Sequence, residues 1–178
     1  TIVWQDKVSN FNPSDYKKTF TYYESKDGTM VPLTYFHRKD LVIDAETPIF
    51  LYGYGGYNIS IRPSFSRKYV GWLELGGIVA IANLRGGGEL GKEWHNAGRL
   101  KEKQNVFDDF LFASKYLEAS GIGNRKSTVI SGRSNGGLLV GTSLVQNPNY
   151  FGATLPADGV LDMLRFTEYT EGWGWRGD

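Results

Sequence analysis

The sequence predicts an α/β domain whose β-sheet begins antiparallel and continues parallel. An Asp-Gly turn lies between two aromatic and β-branched runs near the start of the chain, and it predicts a hairpin. After it, short apolar runs alternate with amphipathic stretches, as in strand–helix units. The chain has 23 glycines among 178 residues, clustered at the ends of the apolar runs. Because ligands bind beyond the carboxyl ends of parallel strands, chemistry is expected at these glycine clusters.

The hairpin consists of two predicted strands, over residues 20–25 and 30–37. Pro32 predicts that the second strand, or one end of it, lies at an edge of the sheet. Further strands are predicted over 48–52, 78–83 and 127–131, and a weaker one over 152–157, because it contains Pro156. The helices are predicted over 66–75, 105–119 and 138–146.

Composition excludes several classes of protein. Hydrophobic residues make up 40% of the chain and aromatic residues 15%, too much for intrinsic disorder. A formal net charge of +1 gives no basis for a nucleic-acid partner. The absence of cysteine excludes disulfides and cysteine nucleophiles. No apolar run approaches the roughly 18 residues of a membrane span, and no leader opens the chain. We therefore expect a cytoplasmic protein without nucleic-acid or membrane partners.

The stretch Gly-Arg-Ser-Asn-Gly at 132–136 matches the motif G-x-S-x-G, in which a serine lies on a tight turn between a strand and a helix. Such a turn holds the hydroxyl clear of the sheet, and the helix N-terminus presents free N–H groups to an oxyanion. A β-branched strand precedes the motif and an apolar helix follows it, as the chemistry requires. Ser134 is therefore a candidate nucleophile, and a glycine-rich turn without chemistry is the alternative.

Other motifs give weaker signals. The stretch 86–91 matches G-x-G-x-x-G, but the residues after it are polar and interrupted by Gly98, so dinucleotide binding is disfavoured and no cofactor is expected. Both histidines, His37 and His95, precede Ser134, whereas the hydrolase order places the acid and the histidine after the serine. We interpret them as structural histidines. No histidine spacing suggests a metal, so none is expected.

Aromatic residues between glycines mark two further candidate positions. Tyr54 follows a predicted strand, where the loop of an α/β-hydrolase supplies the second oxyanion donor, and a phenol can fill that role. Packing of Tyr54 on the glycines is the alternative. Trp173 and Trp175 lie in a glycine-rich stretch near residue 178. They predict either a rigid aromatic wall for a ligand or tryptophans of a core or domain interface.

Five segments together resemble the catalytic domain of the prolyl oligopeptidase family. They are Leu-Tyr-Gly-Tyr-Gly-Gly-Tyr-Asn-Ile-Ser-Ile at 51–61, Ala-Ile-Ala-Asn-Leu-Arg-Gly-Gly-Gly-Glu at 80–89, Lys-Gln-Asn-Val-Phe-Asp-Asp-Phe at 103–110, Ser-Asn-Gly-Gly-Leu-Leu-Val at 134–140 and Gly-Val-Leu-Asp-Met-Leu at 159–164. The resemblance implies an α/β-hydrolase fold and a serine peptidase that cleaves short proline-containing peptides. Asn135 favours this family over the related oligopeptidase B, which usually carries Ala after the serine.

Residue by residue, the resemblance implies that Ser134 is the nucleophile. It implies an oxyanion hole made by the backbone N–H of Asn135 and the hydroxyl of Tyr54. It also implies a pocket in which a proline ring stacks on Trp175, lined by Tyr57 and Val160. At four positions the sequence departs from the family's usual residue: Tyr57 replaces Phe, Arg133 replaces Gly, Trp173 replaces His, and Pro156 enters a strand normally free of proline.

The resemblance further implies a β-propeller and a triad Asp and His, all outside these residues. We therefore expect residues 1–178 to form the N-terminal and central part of a peptidase domain, with a sheet incomplete at the C-terminus. Neither Asp162 nor Asp178 is expected to have a histidine to orient, so the chain alone is expected to be inactive. The alternatives are a non-catalytic ligand or protein interaction module and another serine hydrolase, either oligopeptidase B-like or an esterase.

Overall fold

One mixed β-sheet organises the structure, a computed structural model that describes residues 11–62 and 64–178. Its strands are β1 (Tyr16–Glu24), β2 (Met30–Arg38), β3 (Ile49–Tyr52), β4 (Ile78–Ala82), β5 (Thr128–Arg133) and β6 (Ala153–Ala157). They lie in the order β1-β2-β4-β3-β5-β6. The pairs β1–β2 and β2–β4 are antiparallel, whereas β3, β4, β5 and β6 run parallel. The predicted sheet, antiparallel first and parallel afterwards, is confirmed.

Within the described residues, four helices connect the parallel strands: α1 (Arg67–Glu74), α2 (Lys92–Asn96), α3 (Gln104–Ala119) and α4 (Asn135–Gln146). A fifth, α5 (Thr170–Gly174), follows β6. The predictions for α1 and α3 hold to within one residue at each end. Helix α4 begins three residues before the predicted start, because two glycines fill its first turn and hide the helical pattern. The sequence analysis missed α2 and α5, which are each too short to show apolar periodicity.

Strand β4 lies at the centre of the fold and is buried along its whole length. Alternate residues of a strand point to opposite faces, so Ile78, Ala80 and Ala82 join a core on one face of the sheet. Val79 and Ile81 join a smaller core on the other face. The larger core includes buried residues of α3 and α4, and the smaller one includes Leu73 of α1. The sheet is therefore covered by helices on both faces, as the continuous apolar strand predicts.

The hairpin turns at the predicted Asp-Gly. Gly28 has φ +85° there, a backbone conformation that favours glycine, and the Ser25 N–H donates to the Thr29 carbonyl at 2.8 Å. Strand β2 is not an edge strand, because it lies between β1 and β4. Its pairing with β4 starts only at Leu33, so Pro32 lies where β1 is the only partner strand. Pro32 therefore lies in the end of β2 that extends beyond the pairing with β4, which is the second of the two alternatives predicted.

Pro156 does not prevent the last predicted strand. It lies in β6, opposite Gly132 of β5. Strand β6 is at one edge of the described sheet, where a missing N–H can be tolerated. Among the described residues, no helix combines the length and the apolar character needed to cross a membrane.

A buried ionic network joins the hairpin to the parallel part of the sheet. Arg85 follows β4, and its guanidinium lies 2.6 Å from the carboxylate of Asp109 in α3. The side chain of Arg85 is 5% exposed and that of Asp109 is 0% exposed. Ser25 donates to the same carboxylate at 2.5 Å, and Asp27 in the turn also pairs with Arg85. The hydrogen bond from Arg85 lowers the pKa of Asp27 to about 2. Burial raises the pKa of Asp109, although Arg85 and Ser25 oppose that effect.

Replacing Asp109 by Asn should destabilise the protein strongly. The change keeps the shape of the side chain but leaves Arg85 with Asp27 as its one remaining carboxylate partner. Breaking a buried pair by removing one charge costs about 3–5 kcal/mol, so the free energy of unfolding should fall by about that amount in urea titrations followed by circular dichroism. The exposed pair Arg38–Asp40 provides the control, and Asp40→Asn should leave the urea midpoint unchanged. A midpoint equally unaffected by Asp109→Asn would contradict this account of the network.

Candidate active site

Ser134 occupies the turn between β5 and α4, at the carboxyl edge of the parallel strands. Its backbone has φ +57° and ψ −118°, an uncommon conformation for a residue with a side chain. The side chain is exposed, and the Ser134 N–H donates to the Ala157 carbonyl at 2.9 Å. The predicted strained turn between strand and helix is confirmed.

Glycines on each side of Ser134 allow strand and helix to meet. A Cβ atom on Gly132 would lie 2.2 Å from the carbonyl oxygen of Gly136. A Cβ atom on Gly136 would lie 2.8 Å from the carbonyl oxygen of Gly53, in the loop after β3. Both distances are too short for a side chain. The motif glycines are therefore required by close backbone packing, and the same packing brings the Gly53 loop against the serine turn.

The N-terminus of α4 lies beside the Ser134 hydroxyl. Asn135 is the first helical residue, and its backbone N–H finds no acceptor within residues 11–62 and 64–178. The helix dipole adds a partial positive charge at this point. The buried side chain of Asn135 donates a hydrogen bond from Nδ2 to the Tyr54 carbonyl at 2.6 Å. Asn135 thus presents a free donor beside the serine and fixes the loop that carries Tyr54.

Tyr54 is half-buried in the loop after β3. Burial raises the pKa of its phenol, and the interaction with the Ser134 side chain acts in the opposite direction. The net shift is upward, so the phenol remains protonated at neutral pH and can donate a hydrogen bond. Two donors, the Tyr54 hydroxyl and the Asn135 N–H, therefore lie close to the Ser134 side chain.

A cavity of about 460 Å³ opens next to these groups. All six predicted site residues line it: Ser134, Tyr54, Asn135, Trp175, Tyr57 and Val160. Trp173 does not. Its ring is exposed, and the Arg176 guanidinium lies 4.1 Å from the ring centroid. Of the two tryptophans proposed as a ligand wall, the structure places only Trp175 at the cavity.

Several lining residues were missed by the sequence analysis. They include Ile59, Leu100, Lys103, Leu138, Met163, Phe166, Arg176 and Asp178. Most are apolar residues that no motif distinguishes from core residues. Lys103 and Asp178 are 75 residues apart in the chain, and the fold places the Lys103 ammonium 3.0 Å from Oδ2 of Asp178. The one available signal was that Lys103 begins a segment that carries the family resemblance; Asp178 lies in none of them.

The two histidines have structural contacts. Nδ1 of His37 lies 2.8 Å from the Arg38 carbonyl oxygen, and Nδ1 of His95 lies 2.7 Å from that of Gly86. Neither histidine lines the cavity that contains Ser134. One expectation is wrong, because Asp178 does face a histidine: its Oδ1 lies 3.6 Å from Nε2 of His95. Chain order could not reveal this contact, which depends on the turn after β4.

In the part of the chain that the structure describes, no group of three or more His, Cys, Asp or Glu side chains is arranged to hold a metal ion. The polar side chains at the cavity carry hydroxyl, amide, ammonium, guanidinium and carboxylate groups.

A serine on a strained strand–helix turn, at the carboxyl edge of a mixed sheet with helices on both faces, defines the α/β-hydrolase class. The comparisons with known proteins agree with this class. The family model described as "Prolyl oligopeptidase family" matches residues 63–177. The chain therefore belongs to the prolyl oligopeptidase family.

Curated relatives are similar over nearly the whole chain. The prolyl endopeptidase of Elizabethkingia meningoseptica is 46% identical over 176 residues, which is 99% of this chain and 25% of that protein. The dual function macrocyclase-peptidase POPB of Galerina marginata is 41% identical, over 98% of this chain and 24% of its own length. The chain thus spans about a quarter of the length of these relatives.

Solved structures agree with the fold. Prolyl oligopeptidase B from Galerina marginata, without substrate, superposes with a TM-score of 0.93 at 41% identity, over 97% of this chain and 25% of that one. A post-proline cleaving enzyme from Rickettsia typhi gives a TM-score of 0.93 at 34% identity, over 98% of this chain and 25% of that one. The order and direction of the strands are therefore those of a prolyl oligopeptidase catalytic domain.

The serine turn should not tolerate a side chain at Gly132. Gly132→Ala should destabilise the protein by about 1–3 kcal/mol, the usual cost of forcing extra atoms into a packed site. Thermal unfolding followed by near-ultraviolet circular dichroism measures this. The control is Gly71→Ala in α1, where an added Cβ meets nothing within 4 Å and should stabilise the helix by about 0.5–1 kcal/mol. Equal thermal midpoints for the two variants would contradict the packing described here.

Proposed function

We propose that this chain carries the nucleophile and the oxyanion hole of a serine peptidase that cleaves short peptides on the carboxyl side of proline. The observation that carries the proposal is the single cavity on which Ser134, two oxyanion donors and an aromatic wall converge. Membership of the prolyl oligopeptidase family supports the same activity. The related Galerina marginata enzyme has been solved bound to a 35-residue hydrolysis and macrocyclization substrate.

In this mechanism the Ser134 hydroxyl oxygen attacks the carbonyl carbon of the scissile peptide bond, and a base takes its proton. The carbonyl oxygen becomes an oxyanion that accepts hydrogen bonds from the Asn135 N–H and the Tyr54 hydroxyl. Breakdown of this intermediate releases the amine, which receives the proton, and leaves an acyl group on Ser134. Water then hydrolyses the ester and restores the serine.

Proline specificity is assigned to the aromatic side of the cavity. Proline is a flat and rigid ring, so the face of an indole offers it a large contact area at little cost in conformational entropy. Trp175 is the proposed stacking surface, with Tyr57 and Val160 as further walls. Burial raises the pKa of the Tyr57 phenol to about 12, so this wall stays uncharged at neutral pH.

The general base is proposed to lie elsewhere in a longer protein. Among the described residues, neither histidine lines the cavity, so no histidine there is placed to take the serine proton. The curated relatives are about four times as long as this chain. We therefore propose that residues 1–178 are one part of a peptidase domain, completed by a segment with the triad Asp and His and accompanied by a β-propeller. A cytoplasmic location belongs to the same proposal, and the cysteine-free sequence is compatible with it.

Replacing Tyr54 by Phe in the longer protein should lower kcat by ~10²–10³-fold, the effect of losing one oxyanion donor. KM should change little, because the hydrogen bond forms only as charge develops on the carbonyl oxygen. Steady-state hydrolysis of a prolyl amide measures both constants. Tyr52→Phe is the control, since Tyr52 does not line the cavity. An unchanged kcat for Tyr54→Phe would mean that this phenol only packs against the loop.

Replacing Trp175 by Ala tests the proposed substrate class. The variant should lose far more kcat/KM on a peptide with proline before the scissile bond than on the same peptide with alanine there, because only the proline ring uses the indole face. Trp173→Ala is a matched control, because Trp173 lies outside the cavity and should affect both peptides equally. Equal losses on both peptides for Trp175→Ala would refute the pocket assignment. Activity retained by Ser134→Ala would refute the serine mechanism.

A further inference from the structure

Asp178 joins three separate segments of the chain beside the candidate active site. Its side chain is only 6% exposed. The backbone N–H of Tyr57 donates to Oδ1 at 2.9 Å, and the ammonium group of Lys103 lies 3.0 Å from Oδ2. His95 faces the same carboxylate at 3.6 Å, and the N–H of Leu100 donates to the Asp178 carbonyl at 2.6 Å. A buried carboxylate with so many partners holds these segments together.

The loop that it contacts is strained and needs support. Tyr57 and Asn58 both have positive φ, at 56° and 55°, although neither is glycine. Each such residue costs energy and persists only where its surroundings determine the conformation. The Asn58 N–H donates to the Gly86 carbonyl at 3.1 Å, and the Tyr57 N–H donates to Asp178. The hydrogen bond to Asp178 therefore fixes the first of the two strained residues.

The same loop carries Tyr54, the proposed oxyanion donor. Asn135 holds one end of the loop through the Tyr54 carbonyl, and Asp178 holds the other end at Tyr57. Gly56 lies between these two holding groups. A Cβ atom there would be 2.5 Å from Nδ2 of Asn135 and 3.0 Å from Oδ2 of Asp178. The loop is thus held between two side chains, and loss of either one would free the segment that positions the phenol.

Asp178 also connects this loop to the proline wall. Its backbone N–H donates to the Trp175 carbonyl at 3.2 Å, so its position fixes the turn that carries the indole. Lys103 supplies the compensating positive charge and lies 5.9 Å from the centroid of the Tyr57 ring. Asp178 therefore contacts both the loop that carries Tyr54 and the turn that carries Trp175, and Lys103 is its ion-pair partner.

We propose that Asp178 is a positioning residue for catalysis, which holds the Tyr54–Tyr57 loop in register with Ser134 and uses Lys103 as its counter-ion. This inference rests on the proposed peptidase function and adds a residue to it. Asp178 touches neither substrate nor reacting atoms in this scheme. It acts by positioning the Tyr54 hydroxyl. The effect of its loss on kcat should therefore depend on Tyr54, whereas the effect of losing a residue that only stabilises the fold should not.

The test is a double-mutant cycle in the longer protein that carries this chain, with kcat measured on a prolyl amide. D178A alone should lower kcat by about 10–100-fold, the effect of a misplacement of about 1 Å. In the Y54F background, D178A should lower kcat no more than about twofold further, because the group that it positions is already gone. D178N should lower kcat less than D178A, since its amide oxygen can still accept the hydrogen bond from the Tyr57 N–H although the ion pair with Lys103 is lost.

D40A is the control for the cycle. Asp40 also forms an ion pair, with Arg38, but it follows the end of β2 that lies opposite the serine edge of the sheet. Its loss should leave kcat unchanged in both backgrounds. Near-ultraviolet circular dichroism checks the folding of every variant. If D178A does not fold, K103M removes the counter-ion instead and should show the same dependence on Tyr54.

The results separate this inference from the function on which it rests. Equal fold-losses from D178A with Tyr54 present and with Phe at that position would overturn the positioning role while leaving the peptidase assignment intact. An unchanged kcat for D178A would overturn it as well. A longer protein that cleaves no prolyl peptide would instead reject the proposed function, and the positioning role with it. A Y54F variant with full kcat would overturn the oxyanion role of Tyr54 and the positioning role, while leaving the peptidase assignment intact.

Discussion

Strand β5 and helix α4 approach each other more closely at Gly132 and Gly136 than any side chain would allow, and the geometry of the site depends on this contact. At this contact Ser134 adopts a strained conformation with positive φ, on a turn that holds its hydroxyl clear of the sheet. The contact also leaves the first N–H of α4 without an acceptor among the described residues and brings the loop after β3 against the same turn. The position of the serine and of the N–H beside it therefore depends on one steric constraint.

The rest of the fold keeps the surrounding loops in place. The buried Arg85–Asp109 pair ties the loop after β4 to the hairpin turn and to α3. The next residue of that loop, Gly86, accepts hydrogen bonds from the segment after Tyr57 and from the His95 region. Asp178 closes the arrangement from the other side. Buried charges at the carboxyl edge thus stabilise loop conformations that backbone propensity alone would not favour.

Much of this arrangement could be predicted from local sequence patterns. The strands, α1, α3 and the serine turn each have a signal within a few residues, such as an Asp-Gly turn, an apolar run or a glycine pair. The six proposed site residues came from motifs and from the family resemblance, and the fold brings all of them to one cavity. Their catalytic and substrate-binding roles remain predictions, because geometry places groups without showing what they do.

What could not be predicted depends on contacts between distant segments. The start of α4 was misplaced because glycines in its first turn carry no helical signal. Trp173 and Trp175 are alike in sequence, and only the turn of α5 decides which of them reaches the cavity. The pairing of Asp178 with Lys103 and its contact with His95 involve residues more than 70 positions apart. No local pattern records such a pair, so the positioning role of Asp178 emerged only from the structure.

The central claim is that Ser134, the Asn135 N–H and the Tyr54 hydroxyl act together on one substrate carbonyl. The most direct measurement is a crystal structure of the longer protein with a peptide aldehyde that ends in proline, whose carbonyl carbon can bond to the serine oxygen. The account predicts a covalent bond to Ser134, an aldehyde oxygen within hydrogen-bond distance of both donors, and a proline ring stacked on Trp175. An aldehyde oxygen directed away from Tyr54 and Asn135, or a peptide bound without contact to Ser134, would contradict it.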